Sequence, residues 1–204
     1  MIQALLFDID GVLIWHEKWF AITLSNEKYY KPLEIMDEYH RGVINVECDR
    51  GAKDPIEEVK PFLERIKWNY SPKDYLDMKY EFESQYIDYK MLEIIKSMKG
   101  KGIKTYIGSN QNYYRKKFLQ NKMNLADIFD ESFFSCDLGF VKPENGYWEG
   151  VLAKININNP QIRKEDILFI DDTIENVDSA KKYGMKVKHI KNRNDVLEVL
   201  KIVN

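Results

Sequence analysis

The feature that most constrains the fold is an apolar run near the N-terminus that ends in two acids. Ala4-Leu5-Leu6-Phe7 is followed by Asp8 and Asp10, one residue apart, and then by Gly11. A short apolar run bounded by turn residues is typical of a strand buried on both faces, as in a parallel α/β sheet. Ligands of such sheets bind beyond the carboxyl ends of the strands, so Asp8 and Asp10 are candidate site residues. The alternative is that one of them only caps a turn or a helix.

The chain beyond residue 99 alternates between strand and helix patterns. Apolar runs predict strands at residues 103–108, 131–136, 167–170 and 186–190, and helical periodicity predicts helices at 112–123, 144–155, 174–183 and 195–202. Five strands with helices between most of them are the signature of an α/β fold. We therefore predict a Rossmann-like doubly wound parallel sheet with an inserted helical subdomain.

The segment from residue 15 to residue 98 has helical spacing throughout and would form that insertion. Asp54-Pro55 and Ser71-Pro72 predict helix starts, because each places a capping residue before a proline at the first helical position. Pro61 lies deeper in the first of these helices, so we expect a kink or a break near Lys60. The insertion directly follows the acid pair, and it is either a mobile lid beside the site or a fixed subdomain.

Composition narrows the classes of function. Acids and bases nearly balance, with 33 Asp and Glu against 31 Lys and Arg among 204 residues, so non-specific nucleic-acid binding is not indicated. Cys48 and Cys136 lack the paired spacing of a zinc site or a redox motif and suit a reducing cytoplasm. No apolar stretch approaches the ~20 residues of a membrane span, and the N-terminal run is too short for a signal peptide. We expect a cytoplasmic protein without a membrane or nucleic-acid partner, and the oligomeric state stays open.

Polar residues follow three further predicted strands. Ser109-Asn110 come after the strand at 103–108, Lys142-Pro143 after the strand at 131–136, and Asp171-Asp172 after the strand at 167–170. Each has a plain structural explanation as a helix cap or a solvated loop residue. Those explanations would have to hold independently at four strand ends, and they would leave a cluster of acids without a neutralising charge. A shared functional site is the better interpretation.

The residues at these strand ends resemble the motifs of the haloacid dehalogenase-like hydrolase superfamily, in its phosphatase branch. The matching residues, in chain order, are Asp8-Ile9-Asp10-Gly11-Val12, Ser109, Lys142-Pro143 and Asp171-Asp172. The resemblance implies a catalytic core made of residues 1–14 and 99–204. The helical insertion resembles the type-one cap of that superfamily, which assigns residues 15–98 to a cap.

The resemblance implies hydrolysis of a phosphomonoester through an aspartyl-phosphate. Asp8 is then the nucleophile, while Asp10 protonates the leaving alkoxide and later takes a proton from the attacking water. That double role requires a raised pKa, which we predict for Asp10 from the neighbouring negative charge. Ser109 and the main-chain N–H of Asn110 bind phosphoryl oxygens, and Lys142 offsets the charge of the phosphate and the nucleophile.

Several negative charges meet at such a site, so the resemblance also implies a hard cation, and Mg²⁺ with oxygen ligands fits. Its ligands would be the carboxylate of Asp8, the main-chain carbonyl of Asp10 and the carboxylate of Asp172. Asp171 would orient a metal-bound water. The division between Asp171 and Asp172 stays open, because members of the superfamily vary there.

The same residues help to distinguish other activities within the superfamily. A haloacid dehalogenase needs neither a metal nor a second acid, so Asp10, Asp171 and Asp172 argue against one. A sugar-phosphate mutase of the β-phosphoglucomutase type shares every core residue and differs in its cap, so it stays an alternative. A non-catalytic interaction module on the same scaffold is a second alternative, against which the intact set of catalytic residues argues.

The substrate is the least constrained part of the prediction. A cap of this size implies a small phosphorylated metabolite, and the resemblance implies a sugar phosphate or a nucleotide. Trp15, His16 and Trp19 follow the first motif and either line the roof of the pocket or form an aromatic stripe buried among helices. His40 and Arg41 are a second candidate contact for phosphate or hydroxyl groups.

Overall fold

The computed structural model describes residues 1–25 and 28–203, and within them five strands form one sheet. The strands are β1 (Ala4–Phe7), β2 (Lys104–Ser109), β3 (Glu131–Phe134), β4 (Ile167–Asp171) and β5 (Lys186–His189). All neighbours are parallel, in the order β3-β2-β1-β4-β5. The predicted doubly wound parallel α/β sheet is therefore confirmed, with the N-terminal strand at its centre.

Helices follow the strands in the half of the chain after β2. They are α7 (Tyr113–Lys122), α8 (Leu125–Ile128), α9 (Ser135–Leu138), α10 (Asn145–Asn158), α11 (Ile174–Lys182) and α12 (Arg193–Val203), with a short 3₁₀ turn at Lys164–Asp166. They cover both faces of the sheet. Side chains alternate along each strand, so each face has its own apolar residues to be covered. Leu5 and Phe7 pack in one apolar cluster with α7 and α12, and Leu6 packs in another with α10 and α11.

Within the described residues between β1 and β2, the stretch predicted to be helical forms six helices. They are α1 (Phe20–Leu24), α2 (Pro32–Arg41), α3 (Val43–Asp49), α4 (Pro55–Arg65), α5 (Pro72–Ser84) and α6 (Tyr89–Met98), followed by a 3₁₀ turn at Lys99–Lys101. Helices α1, α2, α4 and α5 share an apolar cluster of their own. Helix α6 instead packs on the sheet, since Met91, Leu92, Ile95 and Met98 join the cluster that contains Leu5 and Phe7.

The two predicted helix starts are confirmed. The Asp54 side chain accepts a hydrogen bond from Ile56 N at the start of α4, and Ser71 forms a reciprocal capping box with Asp74 at the start of α5. Of the kink or break predicted near Lys60, the break is wrong, because α4 continues through Pro61 to Arg65. Pro61 is exposed, as is Glu57 one turn earlier, so the Glu57 carbonyl that the proline leaves unpaired can bond to water.

The register of the sheet fixes where the candidate residues meet. Phe7 lies opposite Ile107 on one side and Ile170 on the other. The residues that follow β1 therefore lie level with the carboxyl ends of β2 and β4. Among the described residues, no helix is long and apolar enough to cross a membrane.

Candidate active site

The predicted nucleophile lies at the carboxyl end of the central strand, beside two other predicted residues. The Asp8 main-chain N–H donates to the carbonyl of Ile170 over 3.0 Å, which continues the sheet for one residue. Lys142 Nζ lies 3.0 Å from Asp8 Oδ2 and 2.6 Å from Asp171 Oδ2. All three side chains are buried. The structure thus joins the first, third and fourth motifs in one ion-pair cluster, which we call the catalytic cluster.

The second motif contributes both a hydroxyl and a support for Lys142. Ser109 ends β2, and its buried hydroxyl accepts from Gln111 Nε2 over 3.0 Å and acts to lower the pKa of Asp8. The Asn110 side chain donates to the carbonyl of Lys142 over 3.1 Å and accepts from its N–H over 2.8 Å. This double hydrogen bond ties the loop that carries Lys142 to the end of β2.

The two acids of the fourth motif have different environments. Asp171 is fully buried and accepts from Thr173 N at 2.7 Å and from Asn176 Nδ2 at 3.2 Å, in addition to Lys142. Asp172 is exposed, and its carboxylate accepts a long hydrogen bond from Thr173 Oγ1 at 3.4 Å. Partial desolvation of its carboxylate, followed by the negative charge of Asp171, raises the pKa of Asp172. Asp172 therefore has free oxygen atoms, whereas those of Asp171 are already bonded.

Gly11 is required where the first motif approaches the fourth. Its φ is +70°, a region that favours glycine, and a Cβ at this position would lie 2.1 Å from Asp172 Oδ2. Any side chain at residue 11 would displace the Asp172 carboxylate. The glycine of the first motif thus keeps the space that this carboxylate occupies.

The two acids of the catalytic cluster, together with Asp172, fit a divalent cation. Carboxylate oxygens of Asp8, Asp171 and Asp172 all lie within 4.8 Å of one another. Burial raises the pKa of Asp8, and the positive charge of Lys142 offsets this effect only in part. One lysine therefore does not balance three acids, and an all-oxygen donor set of this kind suits Mg²⁺.

The surroundings and the pKa of Asp10 differ from those predicted. Its carboxylate is held by both terminal nitrogens of Arg115, at 2.5 and 2.7 Å, by His16 Nε2 at 2.8 Å and by Gln111 Nε2 at 2.9 Å. Burial opposes ionisation of Asp10, but the charge and hydrogen bonds of Arg115 outweigh it and hold its pKa well below the ordinary value. The prediction that neighbouring negative charge raises this pKa is wrong, because a guanidinium from α7 is the nearest charge.

A cavity of about 310 Å³ lies between the residues that follow β1 and β2 and the helices α1, α2, α3 and α5. Asp10, Asn110 and Gln111 form its wall on the side of the sheet. Of the predicted substrate residues, His16 and Trp19 line this cavity. Trp15 packs against the apolar cluster of the sheet and lines a separate groove beside Asp172.

His40 and Arg41, the second candidate contact for substrate, lie in different surroundings. His40 lines the cavity, with its ring edge-on to Trp19 at a centroid distance of 6.0 Å. Burial, with Lys79 and Arg115 acting in the same direction, lowers the pKa of His40 to about 3, so the imidazole is neutral. Arg41 points away from the cavity and pairs with Asp37 at 2.7 Å.

Several polar residues of the cavity were not predicted. Arg115 also lies 3.1 Å from Glu83 Oε2, and Glu83 pairs with Lys79 at 2.7 Å, so α5 and α7 are joined by ion pairs. Arg115 carries one signal that could have identified it. It lies in the first turn of α7, where a cation is unfavourable for the helix dipole and needs an acidic partner elsewhere. Glu83, Lys79 and Asp49 have no comparable signal among the many charges of the insertion.

Comparison with known proteins agrees with this arrangement. The family model of haloacid dehalogenase-like hydrolases matches residues 2–184. A phosphoglycolate phosphatase of Aquifex aeolicus is 26% identical over 187 residues, which cover 90% of this chain and 82% of that protein. A solved structure of a HAD-family enzyme from Bacteroides thetaiotaomicron, in complex with magnesium and inorganic phosphate, superposes with a TM-score of 0.73 at 19% identity and covers 94% of this chain and 95% of its own.

Two fungal relatives are matched over only part of their own length. A drimenol cyclase of Aspergillus calidoustus is 26% identical over 199 residues, which cover 91% of this chain and 33% of the cyclase. A sesquiterpene phosphatase of Aspergillus oryzae is 29% identical over 103 residues, which cover 50% of each. The chain therefore spans a third to a half of the length of these two relatives. Because the family model matches nearly all of the sheet and its motifs, the chain belongs to the haloacid dehalogenase-like hydrolases.

Proposed function

We propose that this protein is a Mg²⁺-dependent phosphomonoester hydrolase that acts on a small phosphorylated metabolite through an aspartyl-phosphate. The observation that carries the proposal is the catalytic cluster, in which Lys142 bridges the predicted nucleophile Asp8 and Asp171 at 3.0 and 2.6 Å. The phosphatase names of two relatives support the reaction class. The magnesium and phosphate bound by the Bacteroides enzyme support the cofactor.

The proposed reaction has two steps. Asp8 attacks phosphorus, the bond between phosphorus and the ester oxygen breaks, and the leaving alkoxide takes a proton from Asp10. Water then attacks phosphorus and gives a proton to Asp10, and the bond to Asp8 breaks to release inorganic phosphate. Ser109, the Asn110 N–H and Lys142 stabilise the phosphoryl oxygens in both steps.

Asp10 must gain a proton before it can act as an acid. In the arrangement described above it is ionised and held by Arg115. A phosphate group between Asp8 and Lys142 adds negative charge near Asp10 and competes for Arg115, and both effects raise the pKa of Asp10. Substrate binding thus prepares the acid.

The cation would be held by Asp8, the main-chain carbonyl of Asp10 and Asp172. When bound, Mg²⁺ supplies positive charge that offsets the phosphate oxygens and the nucleophile. We assign the direct carboxylate to Asp172, because Asp171 is already bonded to Lys142, Thr173 and Asn176. Asp171 then keeps Lys142 in place and orients a ligand of the cation.

The proposal includes the division of the chain into a core, residues 1–14 and 99–204, and a cap, residues 15–98. The separate apolar cluster of α1, α2, α4 and α5 supports a cap, of which α6 packs on the core. His16 and Trp19 would contact the substrate from the cap side. The free thiols of Cys48 and Cys136 support a reducing compartment such as the cytoplasm.

A screen of phosphorylated metabolites with and without Mg²⁺ tests the proposal, with phosphate release as the readout. We expect Mg²⁺-dependent release from small phosphomonoesters and a loss of at least about 10³-fold in Asp8→Asn, which keeps the shape of the nucleophile without its charge. An unchanged melting temperature in that variant would show that the fold is intact. Normal turnover in Asp8→Asn would overturn the mechanism, and isomerised sugar phosphate without phosphate release would favour the mutase.

A further inference from the structure

The leaving group of a substrate would lie in the cavity beside Asp10, because the proposed acid has to reach the leaving oxygen. Asp10 and Asn110, from the first and second motifs, form part of its wall, and the opposite wall comes from the helices between β1 and β2. Its volume of about 310 Å³ is at the lower end of the roughly 300–1,000 Å³ of small-molecule pockets. The cavity therefore suits a small alcohol.

Most charges of this cavity are already paired. Asp10 is held by Arg115, and Glu83 is paired with Lys79 at 2.7 Å and lies 3.1 Å from Arg115. His40 is neutral at physiological pH. Lys18 lies at the cavity as well, with an exposed side chain. Lys79 and Arg115 thus have their counter-charges within the protein.

Asp49 is the exception among the acids of the cavity. Its carboxylate has two long contacts, 3.4 Å from Asn45 Nδ2 and 3.5 Å from Asn112 Nδ2. Within the part of the chain that the structure describes, no cation pairs with it. Burial raises the pKa of Asp49 to about 6, although Arg115 and Lys79 act in the opposite direction. A carboxylate so poorly satisfied would gain from a hydrogen-bond donor.

The main chain places Asp49 at this position independently of its side chain. The Ser135 hydroxyl donates to the Asp49 carbonyl over 2.6 Å and accepts from Gln111 N over 2.9 Å, so it joins the end of α3 to the loop after β2. Arg50, the next residue, forms a two-pronged ion pair with Glu144 at 2.5 and 2.7 Å. Gly51 has a φ of +79°, and a Cβ there would lie 2.8 Å from the carbonyl oxygen of Cys136. Contacts of the Asp49 carbonyl and of the next two residues therefore hold residue 49 at the cavity. These contacts remain when the side chain of residue 49 is replaced.

We infer that Asp49 selects the substrate of the proposed phosphatase, by accepting a hydrogen bond from a donor group on a short alcohol. The donor is a hydroxyl or an ammonium group, and both would complete the hydrogen bonding of the same carboxylate. A leaving group with a carboxylate at that position would be repelled, and an apolar one would leave Asp49 unsatisfied. The inference rests on the proposed function, since it describes the alcohol released by that reaction.

The test compares kcat/KM for four small phosphomonoesters that differ in one feature of the alcohol. Glycerol 3-phosphate carries hydroxyls, phosphoethanolamine an ammonium, phosphoglycolate a carboxylate, and propyl phosphate no polar group. We expect the wild type to prefer at least one of the donor-bearing esters over propyl phosphate by about 10–100-fold, the usual effect of a hydrogen bond to a charged group. Phosphoglycolate should be no better than propyl phosphate.

Two substitutions then separate the sources of the preference. Asp49→Ala should bring the ratio of donor-bearing to propyl ester close to one. Asp49→Asn keeps an acceptor oxygen without the charge, so it should retain part of a preference for hydroxyls, lose a preference for ammonium, and raise activity on phosphoglycolate. Asp77→Asn, an exposed acid on α5, is the matched control and should leave every ratio unchanged.

Outcomes for the inference and for the proposed function are distinguishable. A ratio near one in the wild type, or one that Asp49→Ala does not change, would overturn the role of Asp49. Hydrolysis of acetyl phosphate, whose leaving group needs no proton, reports on the reaction itself. If the wild type lacked Mg²⁺-dependent hydrolysis of acetyl phosphate and of all four esters, the proposed function would fail together with the inference. Thermal unfolding of each variant checks that it is folded.

Discussion

The catalytic cluster and the adjoining cavity lie side by side, but different parts of the fold hold them together. Asp8 and Asp171 come from neighbouring parallel strands, and the main-chain register of β1 and β4 is sufficient to bring them into contact. Asp10, Glu83 and Arg115 meet in the cavity only because α5 packs against the start of α7. One set of contacts follows from the sheet, and the other follows from the packing of the insertion.

Because of this difference, the cavity and the catalytic cluster tolerate different substitutions. Substitutions in α3 or α5 alter the cavity without moving the strands, so selectivity can vary while the reaction stays the same. A substitution in the catalytic cluster has no such freedom, because Lys142 is buried between two acids. Charge removal should therefore be most costly in the cluster, smaller in the cavity and smallest at its rim.

The largest effect on stability is expected for Lys142→Met. The variant leaves Asp8 and Asp171 buried without their shared cation, which should lower the free energy of unfolding by about 3–5 kcal/mol. It also removes a group that stabilises the transferred phosphoryl group, so kcat should fall by about 10²–10³-fold. Chemical denaturation without Mg²⁺ measures the first effect, and phosphate release measures the second.

Lys104→Met is the matched control for this prediction. Lys104 pairs with Asp130 at 2.9 Å at the amino end of β2, where both side chains are partly exposed. Its loss should cost at most about 1 kcal/mol and should leave kcat unchanged. Equal effects of the two substitutions would contradict the distinction between a buried cluster and the rest of the sheet.

The cluster was predictable from sequence because its signals are local. An apolar run of strand length followed by Asp8 needs only the rule that parallel strands carry sites at their carboxyl ends. The same rule applies to Ser109 and Asp171, so the sheet and the approach of its motifs were both predicted. The pairing of Asn110 with the main chain of Lys142 was not, because it depends on the path of a loop.

The cavity was not predictable because its contacts join residues far apart in the chain. Arg115 and Asp10 are 105 residues apart, and nothing near either one identifies the other. The error in the pKa of Asp10 has the same origin, since only the acids next to it in sequence were considered. The break at Pro61 was wrongly predicted for a different reason, because the sequence does not show that Pro61 and Glu57 lie on the solvent side of α4, where water can bond to the freed carbonyl.

Arg115→Met should have an intermediate effect. The substitution leaves Asp10 and Glu83 without their guanidinium, although Asp10 keeps His16 and Gln111 as partners. We expect a loss of about 1–3 kcal/mol in the free energy of unfolding at pH 7. A double-mutant cycle with Glu83→Gln should give a coupling of about 0.5–3 kcal/mol, and additive effects would show that the two side chains do not interact.

The same pair predicts a pH dependence. The pKa values of Asp10 and Glu83 are both lowered in the folded protein, in spite of burial, with Arg115 acting on Asp10 and Lys79 and Arg115 on Glu83. Groups with lowered pKa values stabilise the fold above their ordinary pKa of about 4 and lose that contribution as the pH falls below it. The difference in stability between wild type and Arg115→Met should therefore be full at pH 7 and shrink below about pH 4. A constant difference across this range would contradict an electrostatic origin.

The smallest effect is expected at the rim of the cavity, for Arg50→Met. Arg50 and Glu144 form a two-pronged ion pair between the end of α3 and the loop that follows Lys142, and both side chains are partly exposed. Such pairs contribute about 0–1 kcal/mol, so loss of this one should lower kcat/KM by at most about fivefold. Because the pair keeps α3 against the core and touches no reacting atom, the change should appear in KM with kcat nearly constant.

Arg65→Met is a close control, because Arg65 makes the same kind of two-pronged pair with Glu38 at 2.9 and 2.7 Å, entirely within the insertion. Both variants lose an exposed arginine–glutamate pair, but only Arg50→Met loosens the contact between the insertion and the core. Steady-state kinetics on the best substrate of the screen should therefore separate them. If Arg65→Met raised KM as much as Arg50→Met, the effect would come from the stability of the insertion itself, and the Arg50–Glu144 pair would have no part in keeping the cavity closed.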